Sequence, residues 1–598
     1  MPIKHIHTII GLCIFLLACS LRLYGIDWDQ GTHTHPDERF LTMVINKIDW
    51  PTNIHEYFDT NKSPLNPHNN KFSFYVYGTW PIIAAKSVAQ AFHRDTYDLF
   101  PYVGRISVVL ADLATLLMIY LITKTLTKRV PPALYAMFLY ATTVLPIQLT
   151  HFFTVDPFVV LYLTIATYLL MKRILGAPLG IAMALAVGAK VSSILMFPII
   201  GIQYLLTWPW KETEKSAKTQ IIRLIAQGII FTIVFVGILK IVYPYLFVGV
   251  TLNPKILANW RELSSFDSPT TSFPPALQWI GTAPLLYLLK QLLFWGLGLP
   301  YGLLAIAALI STITARVKNR KWDNLATICL IIIGFFIYQS NQFAKALRYL
   351  GPIYPHIAII SGIFLDQFAR FIARRVPLRG LRITTYVSIG MLLLAWPIMF
   401  TYIYSHPNTR VAASDWIYKT IPKQSTIAWE HWDDPLPMSR GDNSIQQYKT
   451  EQLAMFSKDA PKKWQEITEQ LARSDYIVIS SNRVYGGIGQ VALRFPQTYR
   501  YYQLLFSHSI GFTLMHQEVS RPTIPLPWIS LCLRPPNFSY GKLAQAVETC
   551  DTQGISIVDD YADETFTVYD HPKVLIFKKT RALSKESLYK LIMANSLQ

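Results

Sequence analysis

The chain has 598 residues, 52% of them hydrophobic, and a mean hydropathy of +0.29. This is more apolar than the roughly 45–50% of an average soluble protein, and the apolar residues come in long runs, which argues against a soluble globular protein. The net charge of +19 would suggest a nucleic-acid partner on a soluble chain. Here the basic residues collect in short loops between apolar runs, so we expect no nucleic-acid partner.

Eleven stretches have about the 20 apolar residues that a membrane span needs. We predict spans at 8–25, 102–123, 132–149, 152–171, 177–190, 192–209, 221–243, 299–315, 324–340, 349–368 and 383–404. The apolar stretch 276–297 contains Gln278, Lys290 and Gln291, which favour an interfacial helix instead. We expect the first span to be retained rather than cleaved as a signal peptide, because Arg22 and the acidic residues beyond it follow directly.

The basic loops predict the orientation of these spans. Each loop follows an even-numbered span, and the loops lie at 124–129, 172–173, 211–218, 316–321 and 370–382. By the positive-inside rule all of them face the cytoplasm, which places the N-terminus inside and the C-terminus outside. The charge then indicates contact with anionic membrane lipids.

Two outer loops and a polar tail complete the chain. The membrane domain covers 1–404, with outer loops at 26–101, which includes a surface helix at 82–92, and at 244–298. The tail, 405–598, has the mixed periodicities of a small extracytoplasmic α/β domain. Its predicted helices are 412–420 and 462–473, its predicted strands are 425–429 and 476–480, and a hairpin is predicted from 566–569 and 574–578. Cys532 and Cys550 lie in this tail, where a disulfide is plausible.

The tetrad His35-Pro36-Asp37-Glu38 follows the first span directly. Adjacent carboxylates beside a membrane are costly and are often functional. Asp37 is our candidate for a base that takes a proton from an acceptor hydroxyl. The alternative is structural, because Pro36 and Asp37 are typical of a helix N-terminus.

Other ionisable residues fall at the same predicted membrane face. His151 and Asp156 open the fourth span, Lys190 lies in the turn after the fifth, and Arg348 precedes the tenth. Lysine and arginine there are suited to a lipid phosphate. Each also has a structural alternative: Asp156 as a helix cap, Lys190 as a snorkelling side chain, and Arg348 as a headgroup anchor.

No metal-binding cysteine spacing is present, and no cofactor is required by the sequence. A divalent cation held by His33 and His35 beside the two acids is left open. A second polar cluster, Glu430-His-Trp-Asp-Asp434, is interpreted as a solvated loop.

Several stretches resemble one known group of enzymes. Arg22-Leu-Tyr-Gly25, Trp28 and His35-Pro-Asp-Glu-Arg-Phe40 are similar to the first-loop signature of bacterial C-type membrane glycosyltransferases. Glycosyltransferase family 39, with its protein O-mannosyltransferases and aminoarabinose transferase, is the nearest group that we can name. His151-Phe-Phe-Thr-Val-Asp156, Gly188-Ala-Lys-Val-Ser192 and Arg348-Tyr-Leu-Gly-Pro-Ile-Tyr-Pro355 resemble it too.

The resemblance implies a mainly α polytopic fold of the GT-C type. It implies transfer of a hexose or pentose from a polyprenyl-phosphate donor, outside a bacterial cytoplasmic (inner) membrane. It assigns Asp37, Glu38 and Asp156 to catalysis, and Lys190 and Arg348 to the phosphate. Tyr349, His151 and His35 belong to the same motifs and are our further candidates for substrate binding.

The acceptor stays open. A glycolipid, a cell-surface polymer or a protein hydroxyl would each serve, and the trefoil insertion of eukaryotic mannosyltransferases is not evident. Two other classes of function are kept as alternatives. One is a lipid or sugar transporter or flippase, which needs ionisable residues near mid-span; the predicted spans are nearly free of acids below the outer face, with Asp112 and Lys240 as the main exceptions. The other is a non-catalytic surface-assembly protein whose tail binds a ligand.

Overall fold

A computed structural model describes residues 3–207, 217–271, 273–320, 322–536, 543–550 and 553–594. The predicted fold class is confirmed in outline, since residues up to 404 are mainly helical and the tail has mixed helices and strands. Lys211, Lys215 and Lys321 of the predicted basic loops lie outside the described residues, and so does the end of the predicted span 192–209.

The membrane part consists of helices joined by short 3₁₀ turns and one small hairpin. The helices are α1 (Ile3–Leu23), α2 (Pro36–Lys47), α3 (Ile54–Phe58), α4 (Trp80–Ala91), α5 (Phe100–Thr127), α6 (Pro131–Ala141), α7 (Val144–Leu149), α8 (Asp156–Met171), α9 (Ala177–Ala189), α10 (Met196–Thr207), α11 (Ala217–Val242), α12 (Pro254–Ser265), α13 (Leu286–Gln291), α14 (Leu299–Lys318), α15 (Asn324–Asn341), α16 (Tyr354–Arg375) and α17 (Arg379–Thr401). The hairpin is β1 (Phe247–Val248) with β2 (Thr251–Leu252).

Among the described residues, seven helical segments are long and apolar enough to cross a membrane. They contain α1, α5, α11, α14, α15, α16 and α17. The other four predicted spans fall on shorter helices, namely α6 with α7, α8, α9 and α10. The chain is therefore a multi-pass membrane protein, and the count of eleven spans stays a prediction.

The interfacial helix predicted at 276–297 is wrong. This stretch is broken into a 3₁₀ turn (Pro274–Trp279), α13 and a π turn (Leu292–Gly296). Gly281 and Leu285 both have positive φ, which interrupts an α-helix. The buried Trp279 and Trp295 join the protein core instead of lying on a membrane surface. The surface helix predicted at 82–92 is confirmed as α4.

The tail is built on a five-stranded sheet with the order β4-β3-β5-β10-β6. Its strands are β3 (Thr426–Glu430), β4 (Lys449–Leu453), β5 (Tyr476–Ile479), β6 (Phe512–Glu518), β7 (Thr523–Ile524), β8 (Ser530–Leu533), β9 (Gly554–Ile557) and β10 (Val574–Lys579), of which β7, β9 and β8 form a second small sheet. Its helices are α18 (Thr409–Thr420), α19 (Pro461–Arg473), α20 (Arg483–Gln490), α21 (Pro496–Phe506), α22 (Glu564–Thr567) and α23 (Lys585–Met593). The predicted helices 412–420 and 462–473 and strands 425–429 and 476–480 are confirmed within a few residues.

The predicted hairpin at 566–569 and 574–578 is half wrong. Residues 574–579 form β10, but residues 564–567 form the short helix α22, capped by the side chain of Asp563. Phe566 packs against Trp295 and Phe400 of the membrane part, with ring centroids 5.7 and 5.4 Å apart. The apolar residues of this segment are therefore buried against the membrane part and not within a sheet.

The segment from 559 to 573 fastens the tail to the membrane part. Asp563 accepts hydrogen bonds from Trp279 Nε1 at 2.8 Å and from the Tyr287 hydroxyl at 2.6 Å. Asp570 accepts from Gln148 Nε2 at 3.0 Å and from the Tyr404 hydroxyl at 2.9 Å. A disulfide joins Cys532 to Cys550 near the small sheet.

Candidate active site

The tetrad opens α2. Pro36 occupies the first helical position, and the backbone N–H of Glu38 donates to His35 Nδ1 at 3.3 Å. His35 lies between the rings of Phe152 and Tyr569, each with its centroid 4.3 Å away. Burial, together with the positive charge of Arg348, lowers the pKa of His35 to about 4, so the ring is neutral. The tetrad therefore does begin a helix, as the structural alternative states. This helix start also orients Asp37 and Glu38.

Asp37 forms an ion pair with a residue 311 positions away. Arg348 Nη1 donates to Asp37 Oδ2 at 2.5 Å, and the two side chains are 19% and 23% exposed. Burial is the largest single influence and raises the pKa of Asp37, but the charge and hydrogen bond of Arg348, together with the charges of His35 and Lys190, lower this pKa to about 2. The carboxylate is therefore ionised and remains within reach of solvent.

A second ion pair lies beside the first. Asp156 is the first residue of α8, and its Oδ1 accepts from Lys190 Nζ at 2.7 Å, at the C-terminal end of α9. Lys190 Nζ lies 5.0 Å from the centroid of the Tyr349 ring, and the Arg348 guanidinium carbon lies 5.6 Å from the same centroid. One aromatic ring thus lies beside both cations, at distances where cation–π attraction operates.

Gly78 brings the segment between α3 and α4 against this group. Its N–H donates to the carbonyl oxygen of Ala189 at 2.9 Å, next to Lys190. A Cβ at position 78 would lie 1.6 Å from the carbonyl oxygen of Gly188, so only glycine fits. The neighbouring Tyr77 is close enough to this group to be affected by its charges. Burial has the largest effect and the negative charge of Asp37 adds to it, so the pKa of Tyr77 is raised well above the ordinary range.

Glu38 lies in a different environment from Asp37. Its carboxylate is fully buried and accepts from Arg105 at 2.6 and 3.0 Å and from the N–H of Phe153 at 2.7 Å. Arg105 also contacts Asp29 at 3.0 Å. Burial raises the pKa of Glu38. With this set of partners, Glu38 holds α2 to α5 and does not face solvent.

His151 is also fully buried. Its ring nitrogens lie 2.8 and 2.9 Å from the carbonyl oxygens of Ile147 and Tyr24, and its ring stacks on Tyr404 at 3.8 Å. This position favours a supporting role rather than direct contact with substrate.

The tail lines a small cavity next to Arg348. Its walls are formed by membrane-part and tail residues together: His35, Leu145, Gln148, Leu149, Phe152, Leu347, Arg348, Thr565, Phe566 and Tyr569. Burial raises the pKa of Tyr569 to about 12, although the positive charges of Arg348 and Arg483 act to lower it. Sequence reasoning missed Tyr569 because its segment was interpreted as a strand.

The interpretation of residues 430–434 as a solvated loop is only partly right: His431 and Trp432 are exposed, but Glu430 and the Asp433 side chain are buried. The side chain of Asp433 is buried and contacts Arg410 Nη2 at 2.6 Å, while Asp434 contacts Arg39 of α2 at 3.0 Å. Arg483 donates to the Trp432 carbonyl at 3.0 Å and to Glu564 at 2.6 Å. These ion pairs connect the tail to the helix that carries Asp37.

His33 and His35 do not form a cation site together. His33 is buried, with its ring 4.1 Å from Tyr97 and its Nε2 3.7 Å from Asp98, while His35 faces Phe152. Across the part of the chain that the structure describes, no three His, Cys, Asp or Glu residues are grouped closely enough to hold a metal ion.

Several solved structures of membrane glycosyltransferases are similar to this chain. The Archaeoglobus fulgidus oligosaccharyltransferase tethered with an acceptor peptide is 13% identical, with 96% of this chain and 89% of that chain covered and a TM-score of 0.48. ArnT from Cupriavidus metallidurans bound to undecaprenyl phosphate is 11% identical, with coverage of 81% and 94% and a TM-score of 0.44. The S. cerevisiae protein O-mannosyltransferase Pmt1–Pmt2 complex is 14% identical over 44% of this chain and 36% of that chain, with a TM-score of 0.32.

No family model and no curated protein sequence matches the chain. At these identities and TM-scores the structural similarities carry no functional argument, and the function is argued from the residues of this chain.

Proposed function

We propose that this chain is a membrane glycosyltransferase. It moves a sugar from a polyprenyl-phosphate donor to a hydroxyl of a glycolipid, polymer or protein outside the cytoplasmic membrane. One observation carries the proposal: the pairs Asp37–Arg348 and Asp156–Lys190 meet around Tyr349, although they come from four distant segments of the chain. The proposal includes eleven spans, a cytoplasmic N-terminus and an extracytoplasmic tail.

The two cations are suited to the donor phosphate. A polyprenyl phosphate keeps its chain in the bilayer and its charge at the headgroup level, where α8, α9 and α16 begin or end. Arg348 grips two phosphate oxygens by parallel hydrogen bonds, and Lys190 adds a point charge. The ring of Tyr349 contacts both cations, and the ion pair with Asp156 fixes the position of Lys190.

Asp37 is the proposed base, although a pKa of about 2 makes it a weak one. The donor phosphate resolves this conflict, because it competes with Asp37 for Arg348. Once the guanidinium turns to the phosphate, Asp37 loses its main counter-charge and its pKa rises. The carboxylate then takes the acceptor proton, the acceptor oxygen bonds to the sugar carbon, and the lipid phosphate leaves with the electron pair of the broken C–O bond.

The remaining predicted residues support this geometry. Glu38, through Arg105, fixes the helix that carries Asp37. His35 caps that helix and, with Tyr569, forms the wall of the cavity beside Arg348. His151 joins the end of the first span to the turn after α17 through Tyr24 and Tyr404. Tyr77, placed by Gly78, is an additional candidate for contact with the sugar.

A proton-coupled transporter is less well supported. Asp112, the acid nearest mid-span, is in contact with Arg22 Nε at 2.5 Å and accepts from the Tyr140 hydroxyl at 2.6 Å, and all three residues are buried. A fixed, buried ion pair of this kind stabilises helix packing, because its charges are already satisfied by each other and are not held ready for a relay.

Mass spectrometry of envelope glycolipids and glycoproteins tests the proposal. Cells lacking the chain are compared with cells that carry the wild type, Asp37→Asn or Asp49→Asn. Asp49 is an exposed carboxylate in the same outer loop. We expect a glycan that is present with the wild type and Asp49→Asn and absent with Asp37→Asn at equal protein level. An unchanged glycan profile in the Asp37→Asn cells would remove the assignment of the base.

A further inference from the structure

The small sheet of the tail exposes a continuous apolar surface. Trp528 is 88% exposed, and Ile529, Leu531 and Leu533 are each more than 40% exposed. These three residues alternate along β8 and the residue before it, so they lie on one face of an edge strand. Residues 522–533 contain no charged side chain. An apolar patch of this kind on a polar domain marks an interaction surface.

The position of the sheet indicates what covers this surface. β7 packs against α17 and against the turn Tyr402–Ser405 that ends it. Ile524, Ile555 and Ile557 pack on the core of the membrane part. The small sheet therefore lies at the end of a helix that crosses the membrane. α17 itself exposes apolar residues along its length: Val387, Met391, Leu392 and Ile398.

We propose that Trp528 and the β8 face, Ile529, Leu531 and Leu533, insert into the membrane interface beside α17. The ligand of this surface is the lipid of the adjoining leaflet. Tryptophan prefers this depth because its ring is apolar while its indole N–H can bond to water or headgroups. The apolar surface of α17 then continues into the tail, and the tail is held at a constant height over the site.

The alternative occupant is a second copy of this chain, because an edge strand with an apolar face can pair with another strand. The lipid is favoured by the contact of β7 with α17, because β7 belongs to the same three-stranded sheet as β8 and α17 is long and apolar enough to cross a membrane.

Site-specific fluorescence in vesicles tests the proposal. Cys13, Cys19 and Cys329 are replaced by alanine, and the Cys532–Cys550 disulfide is kept. An environment-sensitive dye is attached to Trp528→Cys, to Leu533→Cys or to Gln465→Cys, a control on the exposed face of α19. The protein is reconstituted in phosphatidylcholine and phosphatidylglycerol, with or without brominated acyl chains.

We expect the dyes at 528 and 533 to emit at shorter wavelength, to be quenched by the brominated lipid and to resist aqueous iodide. The dye at 465 should show the opposite response. The proposal is overturned if 528 and 533 respond as 465 does. It is equally overturned if both positions resist both quenchers while Trp528→Cys forms a disulfide between two copies, which would identify a dimer surface.

Discussion

Asp37 and Glu38 are adjacent on α2 and belong to two different charged regions. Asp37 joins Arg348, Lys190 and Asp156 in an open region, where the paired side chains are between 12% and 23% exposed. Glu38 joins Arg105 and Asp29 in a closed region, where none is more than 2% exposed. The open region has two acids and two cations and the closed region has two acids and one cation, and both contain ion pairs, so the presence of opposite charges does not separate them.

Exposure and the count of partners separate the two regions. The Glu38 carboxylate has three hydrogen bonds from fixed groups and no room for a ligand. Within the described residues Asp37 forms one ion pair, with Arg348, and a phosphate can take over that cation. An ion pair whose cation a substrate can take over is suited to catalysis, whereas a buried ion pair that a ligand cannot reach stabilises the fold. The two residues therefore predict opposite phenotypes when their arginine partners are removed.

The largest effect on stability is expected for Arg105→Ala. It leaves Glu38 and Asp29 as buried carboxylates without their cation, and loss of one partner of a buried pair costs about 3–5 kcal/mol. We expect a much lower melting temperature in detergent or no folded protein. The double variant Glu38→Gln/Arg105→Met should recover part of the loss. If Arg105→Ala melts like the wild type, the closed region does not hold α2.

Arg348→Ala should have the converse phenotype. Loss of one preorganised donor to the leaving phosphate should lower transfer by roughly 10²–10³-fold. The free energy of unfolding should change by only about 1 kcal/mol, because water reaches the Asp37 carboxylate. Transfer is measured by the amount of glycan product, and stability by melting in detergent. The transfer activity of Arg348→Lys should lie between that of the wild type and that of Arg348→Ala, since lysine keeps the charge but not the bidentate geometry. A folding defect as large as that of Arg105→Ala would contradict the distinction between the regions.

The open region was accessible to sequence reasoning and the closed region was not. Asp37, Asp156, Lys190 and Arg348 interrupt apolar runs near their predicted ends, and a consistent orientation of the spans brings those ends to one face. Arg105 lies inside a predicted span, and nothing in its spacing relates it to Glu38, 67 residues earlier. Such pairings depend on how helices pack, which local patterns do not encode.

The tail was predicted correctly where its strands are regular and incorrectly where it contacts the membrane part. Residues 476–479 form a buried central strand, as their apolar run indicates. Residues 566–569 are also apolar, but they are buried against Trp295 and Phe400 in a different secondary structure. An apolar run indicates that a segment is buried but does not indicate which surface buries it. For this reason Tyr569 was missed.

His571 offers a third kind of charged region, one that is closed and can titrate. Its ring nitrogens contact Asp570 at 2.5 Å and Asp559 at 3.0 Å. Burial would lower its pKa, but the two carboxylates raise it from 6.5 to about 10. Because the folded pKa is raised, this stabilisation is complete below pH 6.5 and is lost as the pH rises to about 10, by at most about 1.4 kcal/mol per pH unit.

Melting curves between pH 6 and 10.5 test this expectation. The wild type should lose stability across that window, and His571→Asn should melt lower at pH 6 but with a flatter dependence on pH. Equal slopes for the two proteins would show that the ring does not carry the proton.

The smallest effect is expected for Arg39→Ala, and Arg410→Ala is its matched control because both arginines contact Asp434. The side chain of Arg39 is 37% exposed, whereas Arg410 is buried and also contacts the buried side chain of Asp433. We expect Arg39→Ala to cost about 1 kcal/mol or less, and Arg410→Ala to cost about 3–5 kcal/mol. Melting of the two variants in detergent measures the difference. Equal losses would mean that burial does not determine how strongly an ion pair stabilises this protein, and the contrast between Asp37 and Glu38 would then need another explanation.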